Sequence, residues 1–286
     1  MALKKYSKRI AELDPKEDHQ EIIFLLSCHV FPWDTEKALE FALFRTFAVP
    51  SISKLLSHTK EFTKRPQKRY DDTELIMYEI MEQGYDSERA KQAFRRLNKM
   101  HGAYKISNED FLYVLSTFIY EPRRWVNRFA WRKFTDTERM AGFYFFKEVG
   151  KRMGIKNIPE DYDRFEQFNQ DYEARHFKYA PSNREIGDST VNLLMSFYLP
   201  KWLIPLGKPF AYALMDKPLL DAMGFPQPNI LIRSLIYGAL KLRALLTRFI
   251  PEPNKPVLGT KRKRPTYPKG YEIEELGTFP TKQEYH

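Results

Sequence analysis

Cysteine is nearly absent from this sequence. Cys28 stands alone, which excludes an intramolecular disulfide, a cysteine-ligated iron–sulfur cluster and a CxxCH haem attachment, and fits a reducing compartment. Long apolar runs are missing too: no stretch reaches the roughly 18 apolar residues that a membrane-crossing helix needs. The amino-terminal MALKKYSKRIAELDPKEDHQ lacks the uninterrupted apolar centre of a secretory signal. The expectation is a cytoplasmic protein, peripheral to a membrane. Glycine is sparse at 12 of 286 residues, and the 19 prolines fall mostly between periodic segments or after Met195, so the body should be regular. HExxH, GxSxG, GxxxxGK[ST] and GxGxxG are all lacking, which removes the enzyme classes those motifs build. A carboxylate-bridged di-iron bundle needs two Glu-x-x-His pairs, and Glu173 to His176 supplies one.

What is present is apolar, aromatic and basic. Hydrophobic residues make up 43% and aromatics 15%, enough for a sizeable core, and the net charge of +10 favours anionic partners. Zinc-finger spacing and aromatic RNA-binding strand motifs do not occur, so nucleic acid is not an expected partner. Apolar residues recur at helical spacing through most of the chain, and the fold class expected is all-α: a single domain over 1–250, followed by an extended Pro-rich and basic arm over 251–286.

Along the chain, Asp34, Asp71 or Asp72, Asn108 and Ser182 or Asn183 read as helix caps, Thr135 and Glu138 have capping-box spacing, and Pro122 reads as an interruption. Arg65, Lys68 and Arg69 then read as the end of a basic loop before a helix N-terminus, either solvated or an anion site. Segments 189–215 and 227–251 contain no acidic residue. The second, PNILIRSLIYGALKLRALLTRFIP, reads as a last core helix with a basic outer face, or as an interfacial amphipathic helix.

The stretch SERAKQAFRRLNKMHG sets Ala90, Phe94, Leu97 and His101 at i, i+4, i+7 and i+11, one helix face. Ser87 is placed to cap the start and Gly102 to end the helix just after the histidine. The ring therefore points inward, either as a hydrogen-bonded core histidine or as a ligand. Haem asks the protein for as little as one axial imidazole, and Arg65 to Arg69, or Arg123 with Arg124, could meet its carboxylates.

FALFRTFAVPSISKLLSHTKEF, KRPQKRYDDT and RRLNKMHGAYKISNEDFLYVLSTF resemble the MpaB-like oxygenase family, which includes the latex-clearing rubber oxygenases; the resemblance covers roughly residues 33–194. Ala48-Val49-Pro50 and His58 to Phe62 match its turn, with Val49 in place of a histidine. Asn98 to His101 matches its Asn-x-x-His helix. Arg69, Asp72 and Thr73 match its distal Arg-x-x-Lys-Thr, with Asp72 in place of the lysine.

The resemblance implies an all-α fold with a globin-like core and a haem b oxygenase or oxidoreductase. His101 would be the proximal iron ligand, Asn98, Arg69 and His58 would contact the cofactor, and Arg69, Asp72 and Thr73 would form the distal catalytic side. The partners implied are dioxygen and an apolar, isoprenoid or lipid-like substrate, with peripheral membrane contact through 189–250. The alternative is a non-catalytic helical lipid-binding or membrane-associated protein that kept the fold, a reading favoured by the missing distal lysine.

Overall fold

The computed structural model describes residues 4–279, and among these every regular element is helical. In order the α-helices are α1 (Lys5–Ala11), α2 (His19–Leu25), α3 (Pro32–Thr46), α4 (Pro50–Thr59), α5 (Glu61–Lys64), α6 (Pro66–Gln83), α7 (Glu88–His101), α8 (Asn108–Phe129), α9 (Asp136–Arg152), α10 (Tyr162–His176), α11 (Pro181–Ser196), α12 (Ile204–Ala213), α13 (Lys217–Met223) and α14 (Ile230–Phe249). The result is an all-α domain.

Its most extensive helix pairing is α3 against α8. Small side chains are buried on both helices, Ala38 and Ala42 on α3 and Ser116 and Thr117 on α8, and small residues let axes approach closely. Around the pair, Phe143, Phe145 and Phe165 are buried from α9 and α10, each contributing about 2 kcal/mol of apolar transfer. Arg45, buried on α3, ties distant elements together through Glu173 of α10, Glu121 of α8 and Asp216 ahead of α13.

Several local expectations give way to longer-range partners. Asp34 is no cap: it lies buried in the first turn of α3, paired with Arg243 of α14 at 3.0 Å and accepting from the Trp125 indole at 3.2 Å. The α8 cap is Ser107, and Asn108 instead brackets the Lys156 peptide. Pro181 opens α11, so Ser182 and Asn183 are interior, and Asn183 Nδ2 donates to the Ala48, Lys178 and Ala222 carbonyls. Pro122 does not interrupt α8, which runs through it; the lost hydrogen bond is outweighed by burial on both sides, at Ile119 and Tyr120 and at Trp125 and Val126. Pro66 opens α6, so Asp71 and Asp72 are interior too.

The described segment after Pro251, up to residue 279, has little regular structure, yet it is bonded at many points to the helices. It docks where a π turn at Leu26–Val30 meets Pro32. Pro32 has no N–H to offer the Cys28 carbonyl, which accepts from Val257 at 2.9 Å instead. The segment then runs along α6 as a strap and satisfies a seam of acidic side chains. Gly259 N and Thr260 Oγ1 donate to Glu82, Tyr271 Oη donates to Glu79 at 2.6 Å, Tyr267 Oη to Asp72 and Thr266 N to Asp71 at 3.3 Å. Arg264 pairs with Glu74 and Arg262 with Glu36. In the Lys-Arg-Lys-Arg run, therefore, the two arginines turn in while Lys261 and Lys263 stay exposed. At Gly277 the strap crosses α7 so closely that an added Cβ would fall 1.9 Å from the Met100 sulfur, on a backbone with φ of +73°.

Arg264 is 8% exposed and answers Glu74, with Asp71 at 3.9 Å. Arg264→Ala is expected to lower unfolding free energy by about 3 kcal/mol, because the carboxylates stay behind unpaired. Lys263→Ala should leave the urea midpoint unchanged. Equal, small effects from both would show that the strap does not hold α6.

Candidate functional site

α7 ends on His101 because both of its termini are locally specified. Ser87 Oγ accepts from the Ala90 N–H at 3.1 Å, and the Gly102 N–H closes the last turn on the Asn98 carbonyl at 2.8 Å. Ala90 and Phe94 bury the inner stripe, and the imidazole leans on Phe111 of α8 with centroids 5.4 Å apart. Among the described residues no hydrogen bond engages either ring nitrogen, and Nδ1 is buried without a partner. Buried ring nitrogens of a packed core are normally hydrogen-bonded, and Nδ1 of this half-buried ring is not. Burial, and secondarily the Arg69 cation, lower its pKa from 6.5 to about 4. The imidazole is therefore neutral near pH 7, with a lone pair available.

Arg69 lies on α6, which packs against α7. Its guanidinium donates to Thr73 Oγ1 one turn on and lies over the Phe62 ring, 5.2 Å from the centroid. The Thr73 hydroxyl donates in turn to the Arg69 carbonyl at 2.9 Å. Burial pulls the Arg69 pKa down against the opposing pull of Asp72, Glu61 and Tyr104. Among the described residues no carboxylate pairs with it directly. A guanidinium so enclosed gains from an anionic or strongly polar guest. Both Arg69 and His101 are surrounded by protein yet keep some accessible side-chain surface. Together they set a neutral imidazole and a cation on two helices that pack against each other.

The structure bonds Arg69 to Thr73 and places the Arg69 cation in electrostatic reach of His101, but directs the other residues expected there elsewhere. Asp72 points to the strap, where Lys68 Nζ reaches both its oxygens at 2.9 and 3.0 Å and Tyr267 Oη donates to it. The proposed basic loop is thus an early part of α6, with Lys68 already committed to Asp72. Asn98 is exposed and its Nδ2 donates to the Arg152 carbonyl at 2.9 Å. His58 is exposed on α4 and has no hydrogen-bond or ring partner among the described residues. Arg123 and Arg124 are held by Glu166 and Glu121. Glu173 is occupied by Arg45 and Tyr113, and His176 stacks on Tyr172, so no metal pair forms there. The Cys28 thiol is buried and pushed up to about 12, far from a thiolate.

Phe111 and Tyr104 are the site neighbours that sequence reasoning did not pick out. Tyr104 follows His101 in the turn, its N–H donating to the His101 carbonyl at 3.1 Å. Its signal was adjacency in MHGAYK. Phe111 gave none, since its contact depends on how α8 folds back.

The fold is all-α, with a helix-end histidine in electrostatic reach of a half-buried arginine on a neighbouring helix. Residues 41–245 match the family described as ER-bound oxygenase mpaB/B′/Rubber oxygenase, catalytic domain. The chain belongs to that family. It is 32% identical over 246 residues to ER-bound oxygenase mpaB′ of Penicillium brevicompactum, covering 80% of this chain and 58% of the relative. It is 34% identical over 211 residues to ER-bound oxygenase mpaB of Penicillium roqueforti (strain FM164), covering 68% of this chain and 70% of that one. With mpaB of Penicillium brevicompactum it shares 34% identity over 184 residues, covering 58% of this chain and 47% of the relative. The chain thus spans about half to two-thirds of the lengths of these relatives.

The depressed His101 pKa carries a sign. Between about 4 and 6.5 the unfolded chain binds a proton that the folded ring refuses, so stability present above pH 6.5 is lost as pH falls toward 4. In haem-free protein, urea midpoints should drop over that window, and His101→Phe should flatten the slope. Parallel profiles for the two proteins would mean that the ring is not buried as described.

Proposed function

We propose that this protein is a haem b-dependent oxygenase, with His101 as the proximal iron ligand, acting with dioxygen on an apolar, isoprenoid or lipid-like substrate. The observation that carries the reading is the half-buried, neutral imidazole of His101, its Nδ1 buried without a partner, in electrostatic reach of Arg69, a cation with no directly paired carboxylate. This donor set fits haem: one imidazole for the metal, and one guanidinium for a propionate or a polar oxygen. When bound, haem supplies the redox chemistry that activates dioxygen.

The chain's own residues do the rest. Ser87 and the packing of Ala90 and Phe94 hold the helix that aims His101. Phe111 limits rotation of the ring, and burial keeps it deprotonated. Thr73 fixes Arg69, whose N–H groups orient an anionic or polar guest while the Phe62 face excludes water from it. Asp72 takes no part in this reading as a proton donor, because Lys68 and Tyr267 occupy it. Phe62 and Phe111 give the surroundings of Arg69 and His101 the apolar character that a hydrocarbon chain needs, and a globin-like core belongs to the same reading. The relatives' names place them on the ER, and a peripheral membrane seat through 189–250 belongs to the same reading.

A second reading, a helical lipid-binding protein without chemistry, is favoured by one observation: where the rubber oxygenases carry a distal lysine, Asp72 is turned away and sealed by the strap. Protein expressed with haem precursor separates the two. The oxygenase reading predicts a haem absorption spectrum with iron near one equivalent, lost in His101→Ala. It also predicts that Arg69→Leu retains iron but loses oxygen consumption by about a hundredfold or more, the usual scale for one charge-stabilising donor. Colourless, iron-free wild-type protein would overturn the oxygenase reading.

A further inference from the structure

We propose that the end of α11, the 3-10 turn Lys201–Leu203, α12 and α14 form one face that lies in the surface of an anionic bilayer; the inference deepens, and rests on, the membrane seat proposed above. Large apolar side chains stand in solvent across it: Trp202 76%, Leu206 69%, Leu231 74%, Leu235 62% and Phe249 75% exposed. α12 packs against α14, so these residues belong to adjoining elements.

The orientation of α14 is the decisive feature. A last core helix with a basic outer face would turn its leucines inward, and the opposite is found. Among its residues Leu240 and Ala244 alone are buried, while Arg243 turns inward to Asp34 and lies 3.7 Å over the Trp33 ring. That ion pair fixes the rotation of the helix and sends Leu231, Leu235, Leu242 and Phe249 out. Lys4 caps its end, donating to the Thr247 carbonyl at 3.0 Å and to that of Ile250. α14 is thus held as a 20-residue amphipathic helix with its apolar side free. No described helix is long and apolar enough to cross a membrane, so the face would lie in the interface plane.

Charge selects the occupant. Segments 189–215 and 227–251 have no acidic residue, and Lys201 and Lys241 are exposed among the apolar side chains. A second copy of the chain on this face would set cation against cation. Anionic headgroups satisfy the cations while acyl chains take the leucines, and Trp202 is of the kind that settles at that boundary.

The test is sedimentation of the purified full chain with phosphatidylcholine vesicles, with and without phosphatidylserine, together with tryptophan emission. The chain should bind the phosphatidylserine vesicles and shift its emission to the blue, and Trp202→Phe should abolish the shift. Leu231→Ser/Leu235→Ser/Phe249→Ser should weaken binding by about a hundredfold with the melting temperature unchanged, since all three side chains are exposed. Lys201→Gln/Lys241→Gln should cost about tenfold on phosphatidylserine vesicles and little on phosphatidylcholine. If wild-type binds and the triple variant binds equally, the membrane seat stands and this face is overturned. If wild-type binds neither vesicle, both fall; a dimer that the triple variant dissolves would then assign the face to a second copy.

Discussion

The structure depends on how α6 disposes of its carboxylates. Asp71, Asp72, Glu79 and Glu82 are buried and Glu74 nearly so, a burden that no helix carries without partners. Gln67, Lys68, Tyr70 and Arg89 answer part of it from nearby. The remainder is answered by Gly259, Thr260, Arg264, Thr266, Tyr267 and Tyr271 of the carboxyl-terminal strap. Acid on α6 is thereby bound to the strap, while Arg69 and Thr73 bond to each other. Even the close gathering of Glu36, Glu40 and Glu74, within 4.8 Å of one another, belongs to this seam, because Lys37, Arg262 and Arg264 neutralise it.

From that constraint the site follows. With Asp72 held by Lys68 and Tyr267, Arg69 has no carboxylate paired to it, and its field falls on His101. Desolvation and that field act in the same direction on the imidazole, keeping it neutral and unprotonated at an energetic cost the folded protein bears. Groups left unsatisfied in this way are uncommon in packed cores and are the places where ligands find their contacts. Two regions stand apart: the α6–α7 pair carries the unpartnered ring, and the α12–α14 face carries the exposed apolar surface.

What was legible in the sequence was local. Ser87 before an apolar stripe and the Thr135–Glu138 box specify their helices within a few residues, and the structure has both. The inward direction of His101 came from the same stripe. What failed was decided at a distance. Asp34 looked like a cap because its partner, Arg243, is 209 residues away, and the same pair inverted the expected faces of α14. Asp71 and Asp72 looked like caps because the strap that buries them lies nearly 200 residues on. Asn98 and His58 came from motif matching alone, and the packing of α7 and α4 leaves both on the outside.

The central claim is that His101 supplies an axial imidazole from the end of α7. Removing only the ring tests it: His101→Gly protein, supplied with haem, is titrated with free imidazole and followed in the visible spectrum. The account predicts a six- or five-coordinate haem spectrum restored saturably by imidazole, and absent without it. A haem spectrum in His101→Gly identical to wild-type and indifferent to imidazole would contradict it.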